Sequence, residues 1–388
     1  MPVKDTVKRH YFDWAASSPP DGCRFDIPYG NPSSKHSEGR EAKFALEDAR
    51  ERCAAVLNVP PETLYFTSGG TESNSIALFS NLLRKGQGRV IASQTEHSSI
   101  REGMETLEKM GKPTGRIGVD SAGRVNEHLF AKALEKYGDV RFASIMAVNN
   151  ETGAVTDIAS IRDVIQKDSV PVHLHCDLVQ AIGKIEIDIQ NWGIDSASIS
   201  AHKISGPRGI GLLYLRRPVE IFYTGGGQEK GVRGGTENTL GAVSLAYCLE
   251  KYANLETVRT EYKKARERWK KFITSLTAME RCVLIPSVRG AIAQNEEVDR
   301  EWFSPYILQA AFRGVPGEVM ARALDDLGFA VSTGSACSSS SPERPVLTAM
   351  GVQESLRLEG IRISQGFSTA DEEIDLLLDA IAEVLKFL

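Results

Sequence analysis

Helix and strand alternate from about Glu41 to Leu215, the βα rhythm of an α/β fold whose mixed, mostly parallel sheet is covered by helices on both faces. Two further observations support that class. The apolar runs in this region have strand length and end in turns. A long helical stretch, Thr239–Leu276, then breaks the rhythm and leads into a smaller α+β region. The expected division is a large domain over residues 13–250 and a small one built from 1–12 and 251–388.

In chain order, Glu38–Leu57 predicts an amphipathic helix with Ala42, Ala45, Ala49, Cys53 and Val56 on one stripe. Thr63–Phe66 reads as a strand, then a Gly-Gly turn and a helix over Glu72–Leu83. Strands are expected at Arg89–Ala92, Phe142–Ala147, Val172–Cys176, Ser196–Ile199 and Gly211–Leu215, with helices at Ile100–Met110 and Ile158–Gln166. Past the long helical stretch come a helix at Gly317–Leu327, a Gly/Ser-rich loop, a strand at Gly360–Ser364 and a terminal helix at Ala370–Leu388.

Bulk properties narrow the function. With 388 residues, 41% apolar and 25% charged, the chain has an ordinary globular composition and length for a sizeable core. A net charge of −5 argues against nucleic-acid binding, and Lys263-Lys264 and Lys270-Lys271 read as a solvated helix face. No apolar run is long enough for a bilayer and the start lacks a signal-peptide core, so a cytoplasmic protein is expected. The six cysteines are scattered without a C-x-x-C pair, which indicates neither a zinc ribbon nor a disulfide framework. Cys53 and Cys248 read as core fillers.

The chemistry-bearing residues share one topological position. Thr71 in Thr67-Ser-Gly-Gly-Thr-Glu-Ser73, His97, Asn150, Asp177 and Lys203 all follow strands. Open α/β sheets place ligands at the carboxyl ends of their strands. The Gly-Gly turn entering a helix suits a phosphate, because glycine lets the backbone approach and free N–H groups point outward. A carboxylate such as Asp177, able to keep a pyridinium nitrogen protonated, together with a lysine such as Lys203, able to form a Schiff base, is the minimal protein kit for pyridoxal phosphate chemistry. His173 and His175 alternate as metal ligands do, but no fourth ligand has matching spacing, so no metal is expected.

The ordered motifs resemble a cysteine desulfurase of the NifS/IscS type, in the class V aminotransferase family of pyridoxal-phosphate enzymes with fold type I. They are Tyr11-Phe-Asp-Trp-Ala-Ala, Gly30-Asn-Pro-Ser-Ser, Phe66-Thr-Ser-Gly-Gly-Thr-Glu-Ser, Thr95-Glu-His, Val148-Asn-Asn-Glu-Thr-Gly and Asp177-Leu-Val-Gln. They continue with Ser200-Ala-His-Lys-Ile-Ser-Gly-Pro-Arg-Gly, Gly225-Gly-Gly-Gln-Glu, Arg233-Gly-Gly-Thr-Glu-Asn, Ser335-Ala-Cys-Ser-Ser and Ile361-Arg-Ile-Ser.

The resemblance implies a role for each matching residue. Lys203 would carry the cofactor and shuttle a proton, Asp177 would pair with the pyridine nitrogen, and Gln180 would hydrogen-bond the phenolic oxygen. His97 would stack on the ring and assist acid–base steps. Gly70, Thr71, Ser200 and His202 would hold the phosphate, and Thr236 would reach the phosphate of a second subunit in a homodimer. Asn150, Arg362 and Asn31 would bind the substrate, L-cysteine. Cys337, in a small-residue loop with little to pack, would take the sulfur as a persulfide and pass it to an acceptor protein, an iron–sulfur scaffold or a thiolation relay. The same cofactor set would also serve a selenocysteine lyase or a class V aminotransferase. Two departures put the acceptor in doubt: the Cys337 loop is about one residue shorter than in housekeeping IscS proteins, and no scaffold-docking tail follows the last helix.

Overall fold

The computed structural model describes residues 8–22, 26–84, 88–167, 171–221, 224–292, 302–334 and 344–388. Its strands are β1 (His10–Tyr11), β2 (Leu64–Thr67), β3 (Arg89–Ser93), β4 (Thr114–Ile117), β5 (Val140–Met146), β6 (His173–Asp177), β7 (Ser196–Ser200) and β8 (Gly211–Leu215). Strands β2 to β8 form one sheet in the order β2-β8-β7-β6-β5-β3-β4. Neighbours from β7 to β4 are parallel, and only β8 runs against its neighbours, pairing antiparallel with both β7 and β2. The predicted mostly parallel mixed sheet is the one observed.

Side-chain alternation divides this sheet into two unlike faces. On one, Leu64, Phe66, Ile91, Ala143, Ile145, Leu174, Cys176, Ala197, Ile199, Leu212 and Tyr214 join a large apolar core. The helix α1 (Ser37–Leu57) packs there through Leu46, Ala49, Cys53 and Leu57. Ala45 and Val56, expected on the buried stripe, are half-buried, because the stripe follows Ala42, Leu46, Ala49 and Cys53. The other face is apolar at its flanks, where Tyr65, Val90, Ala92, Leu213 and Leu215 meet α2 (Gly70–Leu83) and α3 (Ser98–Lys109). At its centre it is polar. His173, His175 and Asp177 of β6 lie beside Ser196 and Ser198 of β7 in the ladder.

Three parts of the pattern escaped the sequence. Strand β4 and the helix α4 (Glu127–Tyr137) were not expected, since Thr114-Gly-Arg-Ile is short, contains Gly and forms the sheet edge. The stretch Thr239–Leu276 is two helices, with α5 (Ile158–Lys167) preceding them: α6 (Thr239–Tyr252) and α7 (Leu255–Thr277). Asn254 separates the pair, its side-chain oxygen accepting from the Thr257 N–H at 2.9 Å as an N-cap. A second, antiparallel sheet is formed by β9 (Cys282–Ile285), β10 (Ile307–Phe312) and β12 (Gly360–Ser364), of which only β12 was foreseen. Between them β11 (Phe329–Ala330) pairs in parallel with β1.

Around this sheet lies a second apolar core of Trp269, Phe272, Leu308, Phe312, Ile361, Ile363, Leu377 and Ile381. Phe12, from the start of the chain, is buried in it. Cys53, Cys176 and Cys248 are buried fillers of the first core, and burial pushes the Cys53 thiol up to about 12. Among the described residues no helix is long and apolar enough to cross a membrane.

Glu229, from the Gly225-Gly-Gly-Gln-Glu motif, explains why that segment lies against the sheet. Its backbone is left-handed at φ 47°, followed by Lys230 at φ 54°. The buried carboxylate accepts two 2.8 Å bonds from Arg50 of α1 and one of 2.7 Å from the Phe66 N–H of β2. Arg50 also donates to the Leu64 carbonyl at 2.8 Å. Replacing Glu229 leaves the Phe66 N–H without its acceptor and the buried Arg50 with the half-exposed Glu47, at 3.1 Å, as its remaining ionic partner among the described residues. Glu229→Ala is therefore expected to cost about 3–5 kcal/mol, read as a lower urea midpoint, with Glu229→Gln costing less.

Candidate active site

The polar face of β6 and β7 opens at the carboxyl ends of the strands into a cavity of about 190 Å³. Gly70, Thr71, His97, Asn150, Asp177, Gln180, Ser200, His202, Lys203 and Arg362 all line it, with Ala15, Ala16, Asn74, Met146 and Val179. Asn31 and Thr236 do not. Both are exposed, and the Asn31 side chain accepts from the Ser33 N–H at 2.9 Å in its own loop. Cys337 lies outside the described residues, as does Cys23.

Asp177 ends β6 and is 4% exposed. One carboxylate oxygen accepts from the Val179 N–H at 2.9 Å and the other from the Asn74 amide at 2.8 Å. Asn74 sits one helical turn beyond Gly70 on α2 and was not singled out in the sequence, although that spacing puts both on one face. Its amide also donates to Ser99 at 2.9 Å, which leaves its oxygen to accept from His175 Nε2 at 2.9 Å. His175 Nδ1 then accepts from the Ser196 hydroxyl at 2.8 Å, and that oxygen accepts from His173 Nε2 at 2.7 Å. The two histidines are thus spent on ordering the carboxylate.

Lys203 reaches the cavity from the turn after β7 and donates to the carbonyls of Ala15 at 2.6 Å and Ala16 at 2.8 Å. Gln180 donates to the same Ala15 carbonyl at 2.8 Å. His97 caps α3, its Nδ1 accepting from the Ser99 N–H at 3.2 Å. Burial lowers the His97 pKa, Asp177 opposes this, and Lys203 adds to it. Its neighbour Glu96 is fully buried and accepts from the Met146 N–H at 2.7 Å and Ser144 at 3.1 Å. Burial, then the charge of Asp177, push its carboxyl up to about 8.

Arg362, on the middle of β12, brings the second sheet to the same cavity. It donates to the Asn150 carbonyl at 2.9 Å and to Asp13 at 2.7 Å, while its Nε and the Asn150 side-chain oxygen are buried with no partner among the described residues.

These features fit pyridoxal phosphate. Helix α2 starts at Gly69 and Gly70 without a side-chain cap, leaving N–H groups for an anion. Gly69 has φ 152°, and a Cβ on Gly70 would meet Val179 at 2.7 Å. An amine and a fixed carboxylate line the same small cavity.

Comparison with known proteins agrees. The Aminotransferase class-V family model matches residues 25–377. The chain belongs to this family. A cysteine desulfurase IscS of Vibrio cholerae is 35% identical, the alignment covering 96% of this chain and 91% of that protein. A solved NifS-like protein superposes with a TM-score of 0.86 at 32% identity, over 98% of this chain and 100% of the other. A structure described as SspA in complex with cysteine gives 0.72 at 28%, over 91% and 98%.

The His175 network has a pH signature. Burial, reinforced by His173, lowers its pKa to about 3. Between there and the ordinary value of about 6.5, the unfolded chain binds a proton that the folded chain does not. Stability is therefore expected to fall as pH drops through this window and to level off below it. Urea midpoints measured against pH check this, and His175→Gln should flatten part of the slope.

Proposed function

We propose that the chain is a pyridoxal-phosphate-dependent cysteine desulfurase, converting L-cysteine to L-alanine and keeping the sulfur as a persulfide on Cys337. The observation that carries the reading is the convergence of Lys203, Asp177 and Arg362 on one cavity in a member of this family. Pyridoxal phosphate, when bound, supplies an electron sink for the electron pair left at the substrate Cα.

The chain's residues do the rest. Asp177, held by Asn74 and Val179, would pair with the pyridine nitrogen, and Gln180 would hydrogen-bond the phenolic oxygen. Gly70, Thr71, Ser200 and His202 would bind the phosphate. Arg362 and Asn150 would orient the substrate carboxylate, a bidentate pair from Arg362 fixing its plane, and Asn31 would also bind the substrate. Lys203 would take the Cα proton, and His97, whose pKa is lowered by burial, would stack on the ring and assist acid–base steps. The Cys337 thiolate attacks the substrate sulfur, forming an S–S bond as the C–S bond breaks.

The same reading makes the enzyme a cytoplasmic homodimer, with Thr236 supplied to the neighbouring subunit's phosphate. It then hands sulfur to an acceptor protein for iron–sulfur clusters or other sulfur-containing molecules. The exposed position of Thr236 and the four free cysteines among the described residues support this.

Two variants test the proposal. Cys337→Ala is expected to keep the cofactor but reduce alanine and sulfide release from L-cysteine to background, whereas an aminotransferase would be indifferent to it. Lys203→Ala should lose about 10²–10⁴-fold in turnover, and borohydride reduction should fix the cofactor to residue 203 in the wild type alone. Labelling elsewhere would overturn the assignment.

A further inference from the structure

Lys184 is a buried lysine to which the reaction assigns nothing. It lies 2% exposed at the end of the two tight turns that follow β6, where Lys184 N–H donates to the Ala181 carbonyl at 3.0 Å. Gly183, at φ 71°, closes these turns and could not carry a Cβ without meeting Ile204 and the Tyr252 carbonyl at 3.1 Å. Lys184 is four residues beyond Gln180, so the turns bring both side chains to one side.

The Lys184 Nζ donates to the Gln180 side-chain oxygen at 2.8 Å. At its other end the Gln180 amide nitrogen donates to the Ala15 carbonyl at 2.8 Å, and that carbonyl also accepts from Lys203 at 2.6 Å. A carbonyl accepts only, and an ammonium donates only. Both partners therefore demand the same orientation of the Gln180 amide. With its oxygen turned to Lys184, the second N–H of its nitrogen is the group left for the cavity.

Resting on the cofactor reading above, we propose that Lys184 is a positioning residue that holds Gln180 as a hydrogen-bond donor toward the cofactor's phenolic oxygen. Without it, the amide oxygen loses its partner, and only the Ala15 carbonyl still opposes a flip that would turn that oxygen toward the phenolate. Burial, then the charges of Lys203 and Arg362, lower the Lys184 pKa to about 7. A neutral amine still has N–H groups to donate but can also accept, so above that pH the Ala15 carbonyl is what continues to demand the amide nitrogen.

The test reads the bound cofactor's visible absorption against pH in the full-length holoenzyme, together with thermal unfolding. A donor to the phenolic oxygen makes protonation of the chromophore harder, so its loss raises the titration midpoint. Lys184→Met is expected to retain cofactor and shift the midpoint up by about one pH unit, the worth of one hydrogen bond to a charged group. Gln180→Leu should shift it by a similar amount, and the double variant by no more than the larger single shift. Lys184→Gln, polar but one bond shorter, repeats the test if Met prevents folding. A lowered melting temperature with an unmoved midpoint would make Lys184 merely structural and overturn the proposal. Additive shifts would also overturn it, by showing that Lys184 acts as a charge independent of Gln180. A wild-type protein with no visible band after addition of pyridoxal phosphate would instead sink the cofactor reading itself.

Discussion

A carboxylate taken out of water must find hydrogen-bond partners in the protein, and the centre of this structure is arranged around supplying them to Asp177. The parallel strands β5, β6 and β7 present apolar side chains to one layer of helices and polar ones to the other. Within the polar layer, Asn74 acts as a two-ended adaptor. Its nitrogen serves the carboxylate and its oxygen serves His175, which is fixed in turn by Ser196. Such a chain leaves few alternatives, because turning the Asn74 amide over would set its oxygen against the Asp177 carboxylate.

The same economy appears at the edges of the cavity. The Ala15 carbonyl receives both Lys203 and Gln180, so the first segment of the chain forms a wall for a site otherwise built by the large sheet. Arg362 does the corresponding work for the second sheet. Its hydrogen bonds to Asp13 and to the Asn150 carbonyl join three segments distant in sequence. Glu229 shows that not every residue of a family motif touches a ligand: it ties α1 and β2 to the segment that precedes Thr236.

Much of this was legible before any coordinates. The strands β3, β5 and β8 are rich in apolar residues, β6 and β7 alternate polar and apolar ones, and the residues just past them converge as the topology of open sheets requires. What stays hidden has physical causes. Strand β4 is an edge strand interrupted by Gly115, and β10, Ile-Leu-Gln-Ala-Ala-Phe, is buried on both faces and shows no alternation. Asn74 and Lys184 look like ordinary helix and turn residues, because their importance lies in partners about a hundred positions away or in the flip of a neighbouring amide. Asn31 and Thr236, which family likeness brought into the site, remain exposed outside the cavity.

The pairing of Arg362 with Asp13 spans 349 positions of sequence. Contacts of that separation form slowly, since the intervening chain must already be compact before they become favourable. The binding chamber is thus complete only when the first segment of the chain and the second sheet have both docked on the seven-stranded one, so capture of a ligand there reports long-range assembly rather than the presence of secondary structure.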